Sequence, residues 1–366
     1  MISNKLTHLI TTIEFGGAEK QLLILARNQI KQGLKVEVFY LKGKPELKAK
    51  FEDAGVKVNS LLVDQPFIFQ VIKFRKFIRS NKSFVHTHLP QAELLASLTC
   101  KKKKFIISRH NFEPFWPNKP RSISILLSRF VTSRAAGGIA ISNAIKNYLL
   151  MAREINKYFK VNVVYYGFDH NEEVLPETNK IINENLNLTK DYKLGTIGRL
   201  LPTKNYPIML NAVAKVAVVY PTVKFFIVCG GRSYQELIKM CEDLKIKNNV
   251  IWLGRTEYIR EFFEKIDLFI FASKAEGFGL VLLEAMLANK PILAANNSAI
   301  PEVLGLNYKG LFSTNDYKLL SDKIIELMND KIKGDLLVSE YKDQIKLFDP
   351  IDMADNVLKI YKAAGF

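Results

Sequence analysis

Two glutamates, Glu276 and Glu284, flank the run Gly277-Phe278-Gly279-Leu280, with seven residues between them. The run follows an apolar stretch, Leu268–Ala272, that reads as a buried parallel strand, and it leads into an apolar helix through Ala288. Two glycines in such a turn aim the backbone N–H groups of a helix start at the carboxyl end of a sheet, where open α/β folds bind phosphates. Glu276 falls in the loop and Glu284 about two turns along the helix, so the two carboxylates reach different parts of one long ligand.

Other residues of matching chemistry sit at other strand ends. Gly198-Arg199-Leu200-Leu201-Pro202-Thr203-Lys204-Asn205 places two cations, Arg199 and Lys204, on one strand-to-helix loop. Such a pair neutralises a diphosphate as negative charge develops on it, or is plain surface charge. Gly16-Gly17-Ala18-Glu19 opens the first helix after the first strand. It lets backbone N–H groups approach a phosphate, but lacks the third glycine of a dinucleotide fingerprint and serves equally as a tight turn. Gly230-Gly231-Arg232 and Gly254-Arg255 end two further strands and either hold a base through backbone groups or simply turn the chain.

These loops require strands alternating with helices. The first half reads that way through Leu6–Thr11, Lys35–Leu41, Val56–Leu62, Phe84–Thr87, Phe105–Ser108 and Gly138–Ile141. A polar run from His170 to Tyr192 breaks the pattern and reads as a linker. A second alternation follows at Leu194–Arg199, Phe225–Cys229, Val250–Leu253, Leu268–Ala272 and Ile292–Ala295. The expected fold class is α/β, with two doubly wound Rossmann-like domains facing across a cleft. Residues 1–168 would form an N-terminal domain and 169–350 a C-terminal domain. Met353, Val357, Ile360 and Tyr361 mark an amphipathic helix over 351–366, expected to cross back to the N-terminal domain.

Composition supports a globular protein: 366 residues suffice for two cores, and 48% are hydrophobic. Three cysteines without metal or redox spacing suit a reducing compartment. No apolar run nears the roughly 20 residues that span a bilayer, and no signal peptide is read, so a cytoplasmic protein is expected. The net charge of +17 lies in the first half, where residues 1–168 carry 28 Lys and Arg against 10 Asp and Glu. A Lys-rich composition throughout would spread that excess evenly. An anionic membrane surface is the favoured partner, ahead of a merely solvated face and of nucleic acid, which is not expected to bind.

Taken together the motifs resemble family 4 of the retaining nucleotide-sugar glycosyltransferases, which have the two-domain GT-B fold. The matching pieces are Gly-Gly-Ala-Glu at 16–19, Ser-Arg-His-Asn at 108–111, Ile-Ser-Asn at 141–143 and Tyr-Gly-Phe-Asp at 166–169. They continue with Gly-Arg-Leu-x-x-x-Lys-Asn at 198–205 and Glu-Gly-Phe-Gly-Leu-x-x-x-Glu at 276–284. The resemblance implies that Glu276 holds hydroxyls of the donor sugar and Glu284 the ribose hydroxyls. Phe278, Gly279 and Leu280 would meet sugar and diphosphate through their backbone. Arg199 and Lys204 would stabilise the leaving diphosphate, with Gly198 in their loop, and Gly16 and Gly17 would close over it. His110 would lie near the sugar and Arg255 beside the base. The family is described as metal-independent, and the chain has no Asp-x-Asp motif, so no metal or other cofactor is expected. The family's Gly-x-Gly-Pro is replaced by Cys229-Gly230-Gly231-Arg232, and its Asp after the histidine by Asn111, which weakens the expected contacts there.

A retaining glycoside hydrolase is the reading these glutamates must be weighed against. It holds its carboxyls about 5 Å apart, whereas a loop Glu and a helix Glu two turns on stand around 10 Å apart. The resemblance implies metal-independent hexosyl transfer, with retention, from a UDP- or GDP-linked sugar. The acceptor would be a glycan or polyprenyl-type lipid-linked molecule in cell-surface polysaccharide assembly of the lipopolysaccharide, O-antigen or capsule kind. The alternatives are a nucleotide-sugar epimerase on the same fold and a non-catalytic polyanion-binding module. Phe67, Val71, Phe74 and Ile78 form a helical stripe ringed by Lys73, Arg75, Lys76 and Arg79, and Lys101–Lys104 is a four-lysine run. The two features suggest peripheral docking on the inner face of the membrane, unless the stripe packs on the sheet. His86 and His88 end a strand that would face the cleft, in a structural or acceptor-side role.

Overall fold

The computed structural model describes residues 4–168, 191–231, 233–256 and 259–366. One compact unit takes in Met1–Asp169 and Phe348–Phe366, and the other His170–Leu347. The linker read at His170–Tyr192 lies, except for its last two residues, outside the described residues, as do the domain boundary at 169 and Arg232.

The first unit is built on seven strands: β1 (Lys5–Ile10), β2 (Lys35–Tyr40), β3 (Lys57–Asn59), β4 (Phe84–His88), β5 (Phe105–Arg109), β6 (Gly137–Ala140) and β7 (Val161–Val163). They run parallel in the order β3-β2-β1-β4-β5-β6-β7. The second holds β8 (Lys193–Arg199), β9 (Lys224–Gly230), β10 (Val250–Gly254), β11 (Leu268–Phe271), β12 (Ile292–Ala295) and β13 (Leu311–Phe312), parallel in the order β10-β9-β8-β11-β12-β13. The three-residue β7 and two-residue β13 are too short to show as apolar runs, and β3 shrinks to three residues of the stretch read at Val56–Leu62. Both sheets reverse their winding beside the first strand, at β1/β4 and at β8/β11. There successive loops leave in opposite directions and open a crevice at the strand ends.

Both faces of the first sheet are covered, and the strand period of two sorts its side chains. Leu6, Ile10, Phe84, Ile106 and Ile139 pack against the helix Gly17–Lys31 and the C-terminal helix Pro350–Ala363, through Leu22, Leu23, Ala26, Met353, Val357 and Tyr361. Leu9, Val85, Phe105 and Ile107 face the other way, toward Phe74, Leu95, Ala96 and Val131. Those partners lie on the helices Phe67–Asn81, Pro90–Thr99 and Arg121–Arg134.

The stripe Phe67, Val71, Phe74 and Ile78 is therefore a packing face: Phe74 is fully buried, and the other three pack partly buried against the same core. Of the two readings of the stripe, docking or packing, the structure bears out packing on the sheet. The helix's other side exposes Ile68, Phe69 and Ile72 instead. Among the described residues, no helix is long and apolar enough to cross a membrane.

Candidate functional site

In the second unit, Glu276 and Lys204 come together at the reversal between β8 and β11. β8 ends at Arg199, and Pro202–Lys204 forms a single 3-10 turn before the helix Tyr206–Val219. Asn205 takes the left-handed conformation between the two, φ 57°, and its side-chain amide donates to Thr314 O at 3.0 Å. Asparagine tolerates that backbone where most residues do not. The loop after β11 is stapled to this turn: Lys274 N donates to Thr203 O at 2.7 Å, and Ser273 Oγ to the same oxygen at 3.2 Å. Glu276 N in turn donates to Ser298 Oγ at 2.9 Å.

These anchors set one ion pair, Lys204 Nζ to Glu276 Oε2 at 2.5 Å, with both side chains about one-fifth exposed or less. The ammonium also lies 5.2 Å from the centre of the Phe271 ring. Arg199, at the mouth of the same loop, is exposed. Gly198 sits under the turn, its carbonyl accepting from Tyr206 Oη at 2.8 Å.

The helix Leu280–Leu287 begins at Gly279, whose φ of +93° only glycine adopts cheaply, and no side chain caps that end. Its first turn therefore presents a partial positive charge beside the Lys204–Glu276 pair. Gly277 and Phe278 are buried just before it, and Glu284 is half-buried on its second turn. Arg255, beyond β10, lies across the end of β9, where a methyl group on Gly230 would collide with its Nε. Arg199, Lys204, Glu276 and the Gly277–Leu280 turn thus share one strand-end region of this sheet.

In the first unit, Gly16 caps the helix Gly17–Lys31 without a side-chain hydrogen bond. The Glu19 carboxylate folds back over Gly16, where a Cβ would strike its Oε2, and accepts from Thr12 Oγ1 at 2.7 Å. Burial pushes that carboxyl upward. The glycine pair therefore already sits against an acid, which the sequence reading did not foresee.

Each residue of Ser108-Arg109-His110 is pinned separately. Arg109 is buried between Glu93, at 2.9 Å, and Glu154, at 3.0 Å, and also donates to Ser128 Oγ. Burial drives the Glu93 carboxyl up to about 7 against the pull of Arg109. His110 Nε2 lies 3.1 Å from His88 Nδ1, and its Nδ1 lies 2.5 Å from Tyr166 Oη.

Of the structural and acceptor-side roles read for His86 and His88, their burial fits the structural one: both are buried with His8 in the sheet face under the first and last helices. His8 Nδ1 lies 3.0 Å from His88 Nε2, and His8 Nε2 lies 2.8 Å from Gln29 Oε1. Gln29 Nε2 donates to Tyr361 Oη at 3.1 Å, His86 Nδ1 is 2.6 Å from that hydroxyl, and His86 Nε2 is 2.8 Å from Ser108 Oγ. Desolvation depresses all four imidazoles, His8 to about 4, His110 to about 3 and His86 and His88 well below the usual range. They are neutral at physiological pH. His8 and Gln29 escaped the sequence reading, and Tyr361 was read only as part of the amphipathic last helix. The alternation in Phe84-Val85-His86-Thr87-His88, which puts both histidines on one strand face, was the one available signal.

The fold and these loops define a two-unit α/β protein of GT-B type, and comparison with known proteins places the family. The model of the glycosyl transferases group 1 family matches residues 177–344, and that of glycosyltransferase family 4 matches residues 15–172. The chain belongs to the group 1 glycosyltransferases. It is 27% identical over 241 residues to an uncharacterized glycosyltransferase of Methanocaldococcus jannaschii, covering 64% of this chain and 61% of that protein. It is 24% identical over 288 residues to the GPI3 subunit of phosphatidylinositol N-acetylglucosaminyltransferase from Saccharomyces cerevisiae, covering 77% and 61%. The chain thus spans about three-fifths of the length of these curated relatives. In fold it is similar to Anabaena HepE, solved in complex with UDP, with a TM-score of 0.81, 20% identity and coverage of 98% and 100%.

Proposed function

We propose that this protein transfers a hexose, with retention and without a metal, from a nucleotide diphosphate sugar bound on its second unit. The observation that carries the reading is the Lys204–Glu276 pair, held beside Arg199 and an uncapped helix start at the sheet's reversal. Breaking a sugar–phosphate bond leaves charge on a diphosphate oxygen. A fixed ammonium, a guanidinium and a helix N-terminus stabilise that charge without reorganising. On this reading Glu276 takes the sugar hydroxyls, Glu284 the ribose and Arg255 the base side. The backbone of Phe278, Gly279 and Leu280 meets the sugar and diphosphate. Gly16, Gly17 and His110 belong to the first unit's share of the transfer site. The UDP complex of HepE and the N-acetylglucosaminyltransferase name of the yeast relative support a UDP-sugar as the first donor to try.

The test is a thermal-shift screen against UDP-, GDP- and ADP-sugars. A saturating donor at about 100 times its Kd is expected to stabilise the fold by roughly 2.7 kcal/mol. No shift with any nucleotide or nucleotide sugar would overturn the reading. Glu284→Ala is expected to weaken donor binding about ten-fold, the worth of a charge-assisted hydrogen-bond partner at about 1.5 kcal/mol. Unchanged donor affinity would remove Glu284 from the ribose.

We further propose that the acceptor is a glycan or lipid-linked molecule of cell-surface polysaccharide assembly, reached from an anionic membrane. Support comes from the exposed Ile68, Phe69 and Ile72, and from the exposed Arg75, Lys76, Arg79 and Lys101–Lys104 of the same unit. Arg75 ties its helix to Leu98 O at 2.8 Å, just before the lysine run. Replacing Ile68, Phe69 and Ile72 with Ser is expected to weaken binding to anionic vesicles ten-fold or more, at ~1 kcal/mol for each partly inserted side chain. Donor binding should stay intact. A parent protein that ignores such vesicles would sink the membrane proposal alone.

A further inference from the structure

The buried side chains of the first unit form one continuous hydrogen-bonded line. It runs Tyr166–His110–His88–His8–Gln29–Tyr361–His86–Ser108, seven links of 2.5 to 3.1 Å. Every imidazole is neutral, so each ring has one nitrogen that donates and one that accepts. Hydroxyls and neutral imidazoles serve in either sense. Gln29 alone carries a dedicated acceptor and a dedicated donor, so its amide gives the line a direction.

With Gln29 Oε1 on His8 Nε2, that nitrogen carries the proton and His8 Nδ1 accepts. His88 Nε2 must then donate to it, His88 Nδ1 accepts from His110 Nε2, and His110 Nδ1 accepts from Tyr166 Oη. On the other branch the Gln29 amide donates to Tyr361, which donates to His86 Nδ1, and His86 Nε2 donates to Ser108. No link has two donors or two acceptors.

We propose that Gln29 is a positioning residue that fixes the tautomer of His110 through His8 and His88, keeping that ring neutral with its proton on Nε2. His110 then has neither a proton to give nor a free lone pair, and it serves the transfer site as an uncharged, rigid ring rather than as an acid or base. A metal is the competing occupant, since ring nitrogens of His8, His86 and His88 lie within 4.8 Å of one another and a histidine trio suits zinc. All six of those nitrogens already have partners in the line, however, and metal binding would break the His8–His88 link.

The test uses the full-length protein with 15N-labelled histidine. Long-range 1H–15N spectra read which ring nitrogen carries the proton, with His110→Gln assigning the His110 signals. The parent is expected to show a single Nε2–H form at His110. Gln29→Leu removes the directing amide and is expected to convert it to a mixture of tautomers. His8→Phe, which cuts the line one link further on, should do the same and substitutes if the first variant fails to fold. Ser108→Ala, at the far end of the other branch, should leave His110 unchanged. An unaltered His110 in the folded Gln29→Leu or His8→Phe protein would overturn the proposal. An equal change in Ser108→Ala, or one equivalent of zinc in the purified parent, would do so as well.

The turnover readout alone rests on the function proposed above. A Gln29→Leu protein with a shifted tautomer should lose about 10-fold in kcat with little change in donor KM, the usual cost of removing an orienting partner. A shifted tautomer with unchanged kcat would leave the line standing and remove His110 from the transfer site.

Discussion

Lys204→Met is expected to lower kcat by about 10²–10³-fold, the cost of removing one fixed group that stabilises developing oxyanion charge. The fold should survive, because the Lys204–Glu276 pair is partly exposed and such pairs contribute at most about 1 kcal/mol. Glu276→Gln should cost a similar factor by a different route. It releases Lys204 from its anchor and weakens the acceptor that the sugar hydroxyls would use. Because the two side chains are held against each other at 2.5 Å, the double variant should lose little more than either single one. Multiplying losses in single-turnover assays would show that the pair does not act as a unit. A Lys204→Met enzyme within three-fold of the parent would remove Lys204 from the leaving-group site.

Acid should unfold the first unit well before its carboxylates become fully protonated. His8, His86, His88 and His110 are buried neutral with depressed pKa values, so the folded state binds fewer protons than the unfolded state as pH falls below 6.5. Stability is therefore full above pH 6.5 and is lost on acidification. His8 alone, moving from 6.5 to about 4, accounts for a loss of about 3 kcal/mol by pH 4. The other rings add to this, against a total stability of roughly 5–15 kcal/mol for an ordinary domain. Glu93 has the opposite sign: its carboxyl, raised to about 7, favours the folded state at low pH and blunts the slope without cancelling four rings. Urea melts at pH 7.5, 6, 5 and 4.5 should show the decline, and His8→Gln should reduce the slope by about one proton. Stability that stays flat over this range would contradict the buried neutral network.

Much of the architecture is legible because parallel strands buried on both faces must be continuous apolar runs. Leu268–Ala272 and Phe225–Cys229 advertise themselves that way, and the glycines and cations at their carboxyl ends locate the loops proposed to hold the donor. The ion pair between Lys204 and Glu276 is not legible, because it depends on Thr203 O stapling two loops that lie 70 residues apart. The Phe67–Ile78 stripe leaves docking and packing open for a simple reason. Helical spacing shows that a face is apolar but not whether it meets a sheet or a membrane, and only the covered Phe74 beside the exposed Phe69 separates the two. The histidine line is illegible in a deeper sense. Its eight members come from three strands, two helices and two strand-end segments, each with an unremarkable polar residue.

The placement of the last helix has a consequence for how the protein is made. Since Phe348–Phe366 belongs with Met1–Asp169, the whole second unit is inserted within the sequence of the first. A ribosome therefore finishes the second unit while the first still lacks Met353, Val357 and Tyr361 from its core. During that interval the sheet face carrying His8, His86 and His88 is covered by the first helix alone. Tyr361, on that last helix, is the final link of the line to be synthesised. A nascent chain, or one cut short before this helix, would thus expose this face to chaperones and proteases, and closing the histidine line would mark the first unit as folded.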